Sequence, residues 1–174
     1  MRFLVVGAGA VGGYFGGRLL EAGGDVTFLV RRARAERLAA NGLTIASPAG
    51  NVTLRSPPTV LAAELRAPFD VVILSCKAYD LDAAVESFAP AVGPQTTIIP
   101  LLKGMRHLDA LDAQFGAERV LGDSCFISAR LDEAGWIVHV SDIHRLTFGE
   151  RSGGGSPRVA ARRRPGSASS GSRL

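Results

Sequence analysis

Residues 2–6, RFLVV, form a short apolar run that stops at a glycine, the pattern of a strand buried on both faces of a parallel sheet. From Ala10 to Ala22 the side chains Val11, Phe15, Leu19 and Leu20 recur at helical spacing, and Gly23-Gly24 ends the segment. DVTFLV (25–30) predicts a second strand, and RARAERLAAN followed by Gly42 predicts a helix of good formers with glycine in the C-terminal position. LTIASPAGNVTL has the alternation of a small hairpin turning around Pro48–Asn51. FDVVILSCK (69–77) is another buried strand, and DLDAAVESFAP behind it is a helix closed by Pro90. TTIIPLL (96–102) is a strand, and MRHLDALDAQFG a helix with Met105, Leu108 and Leu111 three apart. Beyond residue 122 the period changes: DSCFISARLDEAGWIVHVSDIHRLTFGE reads as antiparallel strands around a DEAG turn.

Strands alternating with helices imply a parallel sheet with right-handed crossovers. The fold expected is therefore α/β, a doubly wound parallel sheet over roughly 1–122, with a small β extension to about 150. In such sheets ligands bind beyond the carboxyl ends of the strands, so the residues after each strand are the candidates for chemistry.

Residues 151–174 are a different material. Nineteen of these 24 residues are Arg, Gly, Ser or Pro, and the only apolar side chains larger than Ala are Val159 and Leu174. Ordering each residue costs about 1–2 kcal/mol of backbone entropy, with little apolar surface to offset it, so the segment is expected to be disordered. The division is a folded domain over 1–150 and a disordered tail over 151–174.

Charge changes the picture once it is located. The net charge of +4 and the basic pI invite a nucleic-acid reading, but six arginines and no acid lie in 151–174. The remaining 14 basic residues face all 16 acidic ones in 1–150, a net charge of −2. No aromatic is interleaved with the tail arginines to stack bases, and nucleic acid is not an expected partner. No apolar run reaches membrane-spanning length and no signal-peptide cleavage pattern is present, so a cytoplasmic protein without a membrane partner is expected. Cys76 and Cys125 are far apart and lack metal-ligand spacing, which argues against a disulfide framework and a metal site.

Gly7-Ala8-Gly9-Ala10-Val11-Gly12 is a G-x-G-x-x-G sequence in the required context, after a strand and opening a helix. Gly7 permits the tight turn, Gly9 lets the backbone approach a pyrophosphate, and Gly12 lets the helix pack on the sheet. The helix N-terminus then offers free N–H groups to phosphates. A ligand-free glycine turn is the competing reading. The second strand selects the cofactor. An NAD site usually ends this strand in Asp or Glu; here Arg31-Arg32 follows it. An arginine there pairs with a 2′-phosphate, favouring NADP by about ten- to a hundredfold for one charge-assisted hydrogen bond. Arg31 is the better placed; the alternative is that these arginines cap the loop or pair with Glu36. Of 18 arginines and two lysines, both lysines, Lys77 and Lys103, follow predicted strands on the ligand-binding edge, where an ammonium can meet a phosphate, carboxylate or carbonyl.

GAGAVGGYFGGRL, the arginines after the second strand, VVILSCKAYDLDAAV and LLKGMRHLDAL together resemble the N-terminal Rossmann domain of ketopantoate reductases (2-dehydropantoate 2-reductases) across nearly all of 1–150. The resemblance implies NADPH-dependent reduction of ketopantoate to pantoate, on the route to pantothenate and coenzyme A. It implies pyrophosphate binding for Gly7, Gly9 and Gly12, the 2′-phosphate for Arg31, and a position beside nicotinamide and substrate for Lys77. The family has asparagine where this chain has Lys103 before Gly104, so no family role passes to Lys103; asparagine donates and accepts, lysine only donates. In the family a helical C-terminal domain supplies the catalytic lysine and a substrate-binding glutamate. The resemblance stops near Gly149-Glu150, so the expectation is a truncated form, weak or inactive alone, with no catalytic residue assigned within it and a tail whose composition suits a reading-frame change. An NADP-binding module or redox sensor without chemistry is the alternative. His107, His139 and His144 read as structural or surface histidines, Ser75 and Cys76 as small residues at a strand end, Tyr14 and Phe15 as packing, and Asp80 and Asp82 as helix-start residues.

Overall fold

The buried runs assemble as their pattern predicts. In this computed structural model, which describes residues 1–155, 157–160 and 172–173, the strands β1 (Arg2–Val6), β2 (Asp25–Leu29), β5 (Thr59–Val60), β6 (Val71–Leu74) and β7 (Thr97–Pro100) form one sheet. Its order is β5-β2-β1-β6-β7, every pairing parallel. The crossovers run through α1 (Ala10–Glu21), α2 (Arg32–Asn41) and α3 (Leu81–Phe88), and α4 (Arg106–Phe115) follows β7.

Because successive side chains on a strand point to opposite faces, β1 and β6 each feed two cores. Phe3, Val5, Val71 and Ile73 face one side with Phe28, Ile99 and α1; Leu4, Val6, Val72 and Leu74 face the other with Ala84, Phe88, Leu108 and Leu111 of α3 and α4. A fully buried side chain of this size contributes about 1.5–3 kcal/mol, which is why these strands tolerate no polar alternation. Met105 is exposed, so only Leu108 and Leu111 of the three spaced residues reach the core.

The β extension is more than a hairpin. β8 (Gly122–Leu131) pairs antiparallel with β9 (Ile137–Gly149), but β9 also runs parallel beside β3 (Leu43–Ala46), which turns antiparallel into β4 (Val52–Leu54). The hairpin and extension expected separately thus form one second sheet. The β8–β9 register shifts between the Ile127↔His144 and Ala129↔His139 pairs, so that Val140–Ile143 loop out of the ladder and leave Val140 and Ile143 exposed. The edge strand β5 was not expected. It is two residues long after Pro57-Pro58, too short for any period, and its place is set by backbone bonds such as Val30 N–H to the Val60 carbonyl (3.1 Å).

Helix α1 lies between the two sheets, and its glycines explain how. A Cβ at Gly16 would stand 2.7 Å from Phe28 and 2.9 Å from Val5 of the parallel sheet; one at Gly13 would meet Ile137 at 2.5 Å, and one at Gly17 would meet Ile45 at 2.8 Å, both in the second sheet. Close approach on two sides therefore accounts for this run of small residues.

Most of the tail expected to be disordered lies outside the described residues. Within the described ones, α5 (Pro157–Ala160) is a helical turn that buries Val159 in the α1-side core, and β10 (Ser172–Arg173) pairs with Phe148 and Thr147 of β9. Among the described residues no helix is long and apolar enough to cross a membrane.

Gly16→Ala should lower unfolding stability by about 1–3 kcal/mol despite the better helix propensity of alanine, because Phe28 and Val5 have no room to yield. Urea denaturation with an unchanged m-value checks this.

Candidate dinucleotide site

At the carboxyl edge of the parallel sheet, the turn between β1 and α1 is held from three sides. Gly7 takes a φ of +93°, open to glycine alone at little cost, and its N–H donates to the Leu29 carbonyl of β2 at 2.9 Å. From the end of β6, the Ser75 hydroxyl reaches the carbonyls of Val6 and Gly7 at 2.9 and 3.1 Å. From α2, Arg34 donates through Nε and Nη2 to the Ala8 carbonyl at 3.1 and 2.9 Å. A Cβ at Gly12 would fall 2.0 Å from the Ser75 hydroxyl and 2.4 Å from the Gly7 carbonyl, so the helix can start here only with glycine at that position. Such a pre-set turn loses little freedom when a ligand arrives.

A cavity of about 600 Å³ opens above it, a size suited to a small-molecule site. Gly7, Ala8 and Gly9 form its floor, Arg31 and Arg32 its rim, and Leu61, Ala62, Ala83 and Ala84 its apolar walls. Helix α1 is capped by Gly9 without any side-chain bond and has no acid in its first turn, so its leading N–H groups are left for another acceptor. A Cβ at Gly9 would meet nothing within 4 Å. The space over the turn is therefore open, and these residues fit a dinucleotide pyrophosphate.

Not every predicted residue faces this space. Ala10, Val11 and Gly12 continue into α1 behind the floor. Arg31 caps α2 at the rim with an exposed side chain, and its Nη2 lies 3.1 Å from Asp80 Oδ1, so its partner is Asp80 and not Glu36. Lys77 and Lys103 occupy exposed loops after the adjacent strands β6 and β7, outside the cavity lining. Three contributors escaped sequence reasoning. Arg34 and Ser75 act on the turn through backbone carbonyls, and Asp80, read as a helix-start residue, does sit at the α3 N-cap but makes no cap bond there. Cys76 also lines the cavity, its thiol pushed up by burial and secondarily by Asp80. Burial, with Arg37 nearby, lowers Arg34, which at its distance from neutrality remains a cation.

Two of the histidines lie together elsewhere, their rings 5.5 Å apart. His139 is buried, with Nδ1 2.8 Å from the Ser47 hydroxyl, and His144 shares a 2.5 Å hydrogen bond with the Tyr14 hydroxyl. His107 is buried on α4. His139 and His144 are thus engaged by side chains of neighbouring elements, outside the cavity lining.

The ketopantoate reductase PanE/ApbA family model matches residues 3–153. The chain belongs to the ketopantoate reductase family. It is 50% identical over 161 residues to the "Uncharacterized oxidoreductase YkpB" of Bacillus subtilis, covering 92% of this chain and 52% of that protein. It is 30% identical over 180 residues to the 2-dehydropantoate 2-reductase of Mesorhizobium japonicum, covering 91% and 55%. The crystal structure of 2-dehydropantoate 2-reductase from Geobacter metallireducens superposes with a TM-score of 0.84 at 34% identity, over 92% of this chain and 53% of that one. The chain spans about half the length of the curated relatives it matches. The family consists of oxidoreductases that use NADPH, and the fold here is the Rossmann-like one of its N-terminal domain.

Two measurements follow from the site. Gly9→Val should leave the thermal midpoint within about 2–4 °C of the parent, since its Cβ enters open space, yet weaken dinucleotide binding at least tenfold by filling the approach to the turn. Outside the cavity, burial on β8 pushes the Asp123 carboxyl up to about 7 from 3.8. The folded chain then binds more protons than the unfolded one between about pH 4 and 7, and this group's contribution to stability declines as pH rises through that window. Asp123→Asn should therefore raise the melting temperature at pH 8 by roughly 2–8 °C and leave it unchanged near pH 3, as read by calorimetry.

Proposed function

We propose that this chain is the cofactor-binding half of an NADPH-dependent ketopantoate reductase. The observation that carries the reading is the clamped glycine turn under an open cavity, with arginines at the rim where an NAD site would present an acid. Residues Gly7–Gly9 and the α1 N-terminus hold the pyrophosphate, by backbone N–H groups and the helix partial charge. Leu61, Ala62 and Ala83–Ala84 exclude water from the adenosine, and Arg31 with Arg32 meets its 2′-phosphate. Bound NADPH supplies a hydride to the ketone carbon of a 2-keto acid. Lys77, on the exposed loop after β6, offers an ammonium to the oxygen or carboxylate of that substrate. The substrate carbonyl oxygen takes up one proton as the ketone becomes an alcohol. No acid for that proton is assigned within the described residues, and the family's helical half supplies it by resemblance.

Titration of the 174-residue chain with NADPH and NADH, followed by nicotinamide fluorescence, tests this. Saturable binding of NADPH, tighter than NADH, is expected, with little or no ketopantoate-dependent NADPH oxidation by the chain alone. Failure to bind either nucleotide would overturn the reading. Binding without oxidation even after addition of a helical half from a relative would make the chain a nucleotide-binding module or redox sensor.

A further inference from the structure

Three arginines stand near the cavity, and only one of them meets an acid across its mouth. Arg34 is spent on the Ala8 carbonyl, and Arg32 makes no ion pair among the described residues. The Arg31 guanidinium, 83% exposed, reaches from the end of β2 to the Asp80 carboxylate after β6, 49 positions away in sequence. Asp80 is itself misused by the usual rule. An aspartate at a helix N-cap normally accepts from the N–H of the second or third helical residue, but Asp80 makes no such bond and turns toward Arg31 instead. Both residues line the cavity.

We infer that Asp80 sets the cofactor preference of this site by holding Arg31 against its own carboxylate. The inference rests on the cavity holding a dinucleotide. A phosphorylated ribose must take the guanidinium from Asp80 and tolerate the carboxylate left beside it. An unphosphorylated ribose leaves the ion pair intact and finds in Asp80 the hydroxyl acceptor that NAD sites place at a strand end. The site thus carries a reader for each cofactor, one restraining the other, which narrows the discrimination that Arg31 alone would give.

The test is a double-mutant cycle read by equilibrium binding. Dissociation constants for NADPH and NADH are measured by fluorescence titration on the parent, Asp80→Asn, Arg31→Gln and the double variant. Asp80→Asn should tighten NADPH about three- to tenfold, the range of an exposed ion pair plus the removed repulsion, and leave NADH unchanged or weaker. Asp80→Ser, which keeps an N-cap acceptor, should give the same shift, separating charge from helix capping. In the Arg31→Gln background the gain for NADPH should shrink to the part that comes from the removed repulsion. An NADPH-to-NADH ratio unmoved by either Asp80 variant, or a gain undiminished by loss of Arg31, overturns the assignment while dinucleotide binding stands. A parent chain that binds neither nucleotide overturns both.

Discussion

Helix α1 can lie between two sheets because it presents glycines where they press closest on it. Gly16 admits Phe28 and Val5 from the parallel sheet, while Gly13 and Gly17 admit Ile137, Ile45 and Leu43 from the second. Gly12 brings the start of the helix onto the Gly7 carbonyl and the Ser75 hydroxyl. The close packing costs helix propensity at four positions, and it is offset by the burial of β-strand side chains on both sides. Everything functional inherits its position from this contact. The first turn of α1 points at the cavity because the helix axis is fixed against β1, and the second sheet joins the domain because β3 and β9 reach the same glycine face.

The turn that results is rigid in a particular way. The carbonyls of Val6, Gly7 and Ala8 are engaged by Ser75 and Arg34, while the N–H groups at the head of α1 carry no side-chain cap. A surface offering donors and no acceptors selects anions. The same edge carries Arg31, Arg32, Lys77 and Lys103, although the body of the chain is slightly acidic overall. Cationic groups are therefore concentrated at one edge by topology, not by composition. Asp80 is the acid set within that field, which gives it leverage out of proportion to one charge.

Much of this was legible in the sequence because the signals are local. A run such as VVIL buried on both faces, a glycine after a strand, and apolar residues at helical spacing each state their structure within a window of about ten residues. The parallel sheet, its helices and the G-x-G-x-x-G turn follow from such windows, and so do the two arginines after β2. β5 had no such signal. Two residues beside a pair of prolines have no period, and β2 supplies the edge that makes them a strand.

Tertiary structure alone decided the rest. Arg34 reaches Ala8 across 26 positions, Ser75 reaches Gly7 across 68, and Arg31 finds Asp80 across 49. Nothing near those residues in sequence distinguishes them from a surface arginine, a small strand residue or a helix cap. Likewise the 43–54 hairpin and the 122–149 strands show alternation separately, but only the packing around α1 joins them through the Ile45↔Ile137 pair. Backbone form is written by short-range sterics and hydrophobic period, so the sequence by itself determined most of the elements, their type and the glycine turn after β1. Which side chains meet depends on distances between elements that the chain closes only on folding, and that is where the clamp on the turn and the charge pair at its mouth were settled.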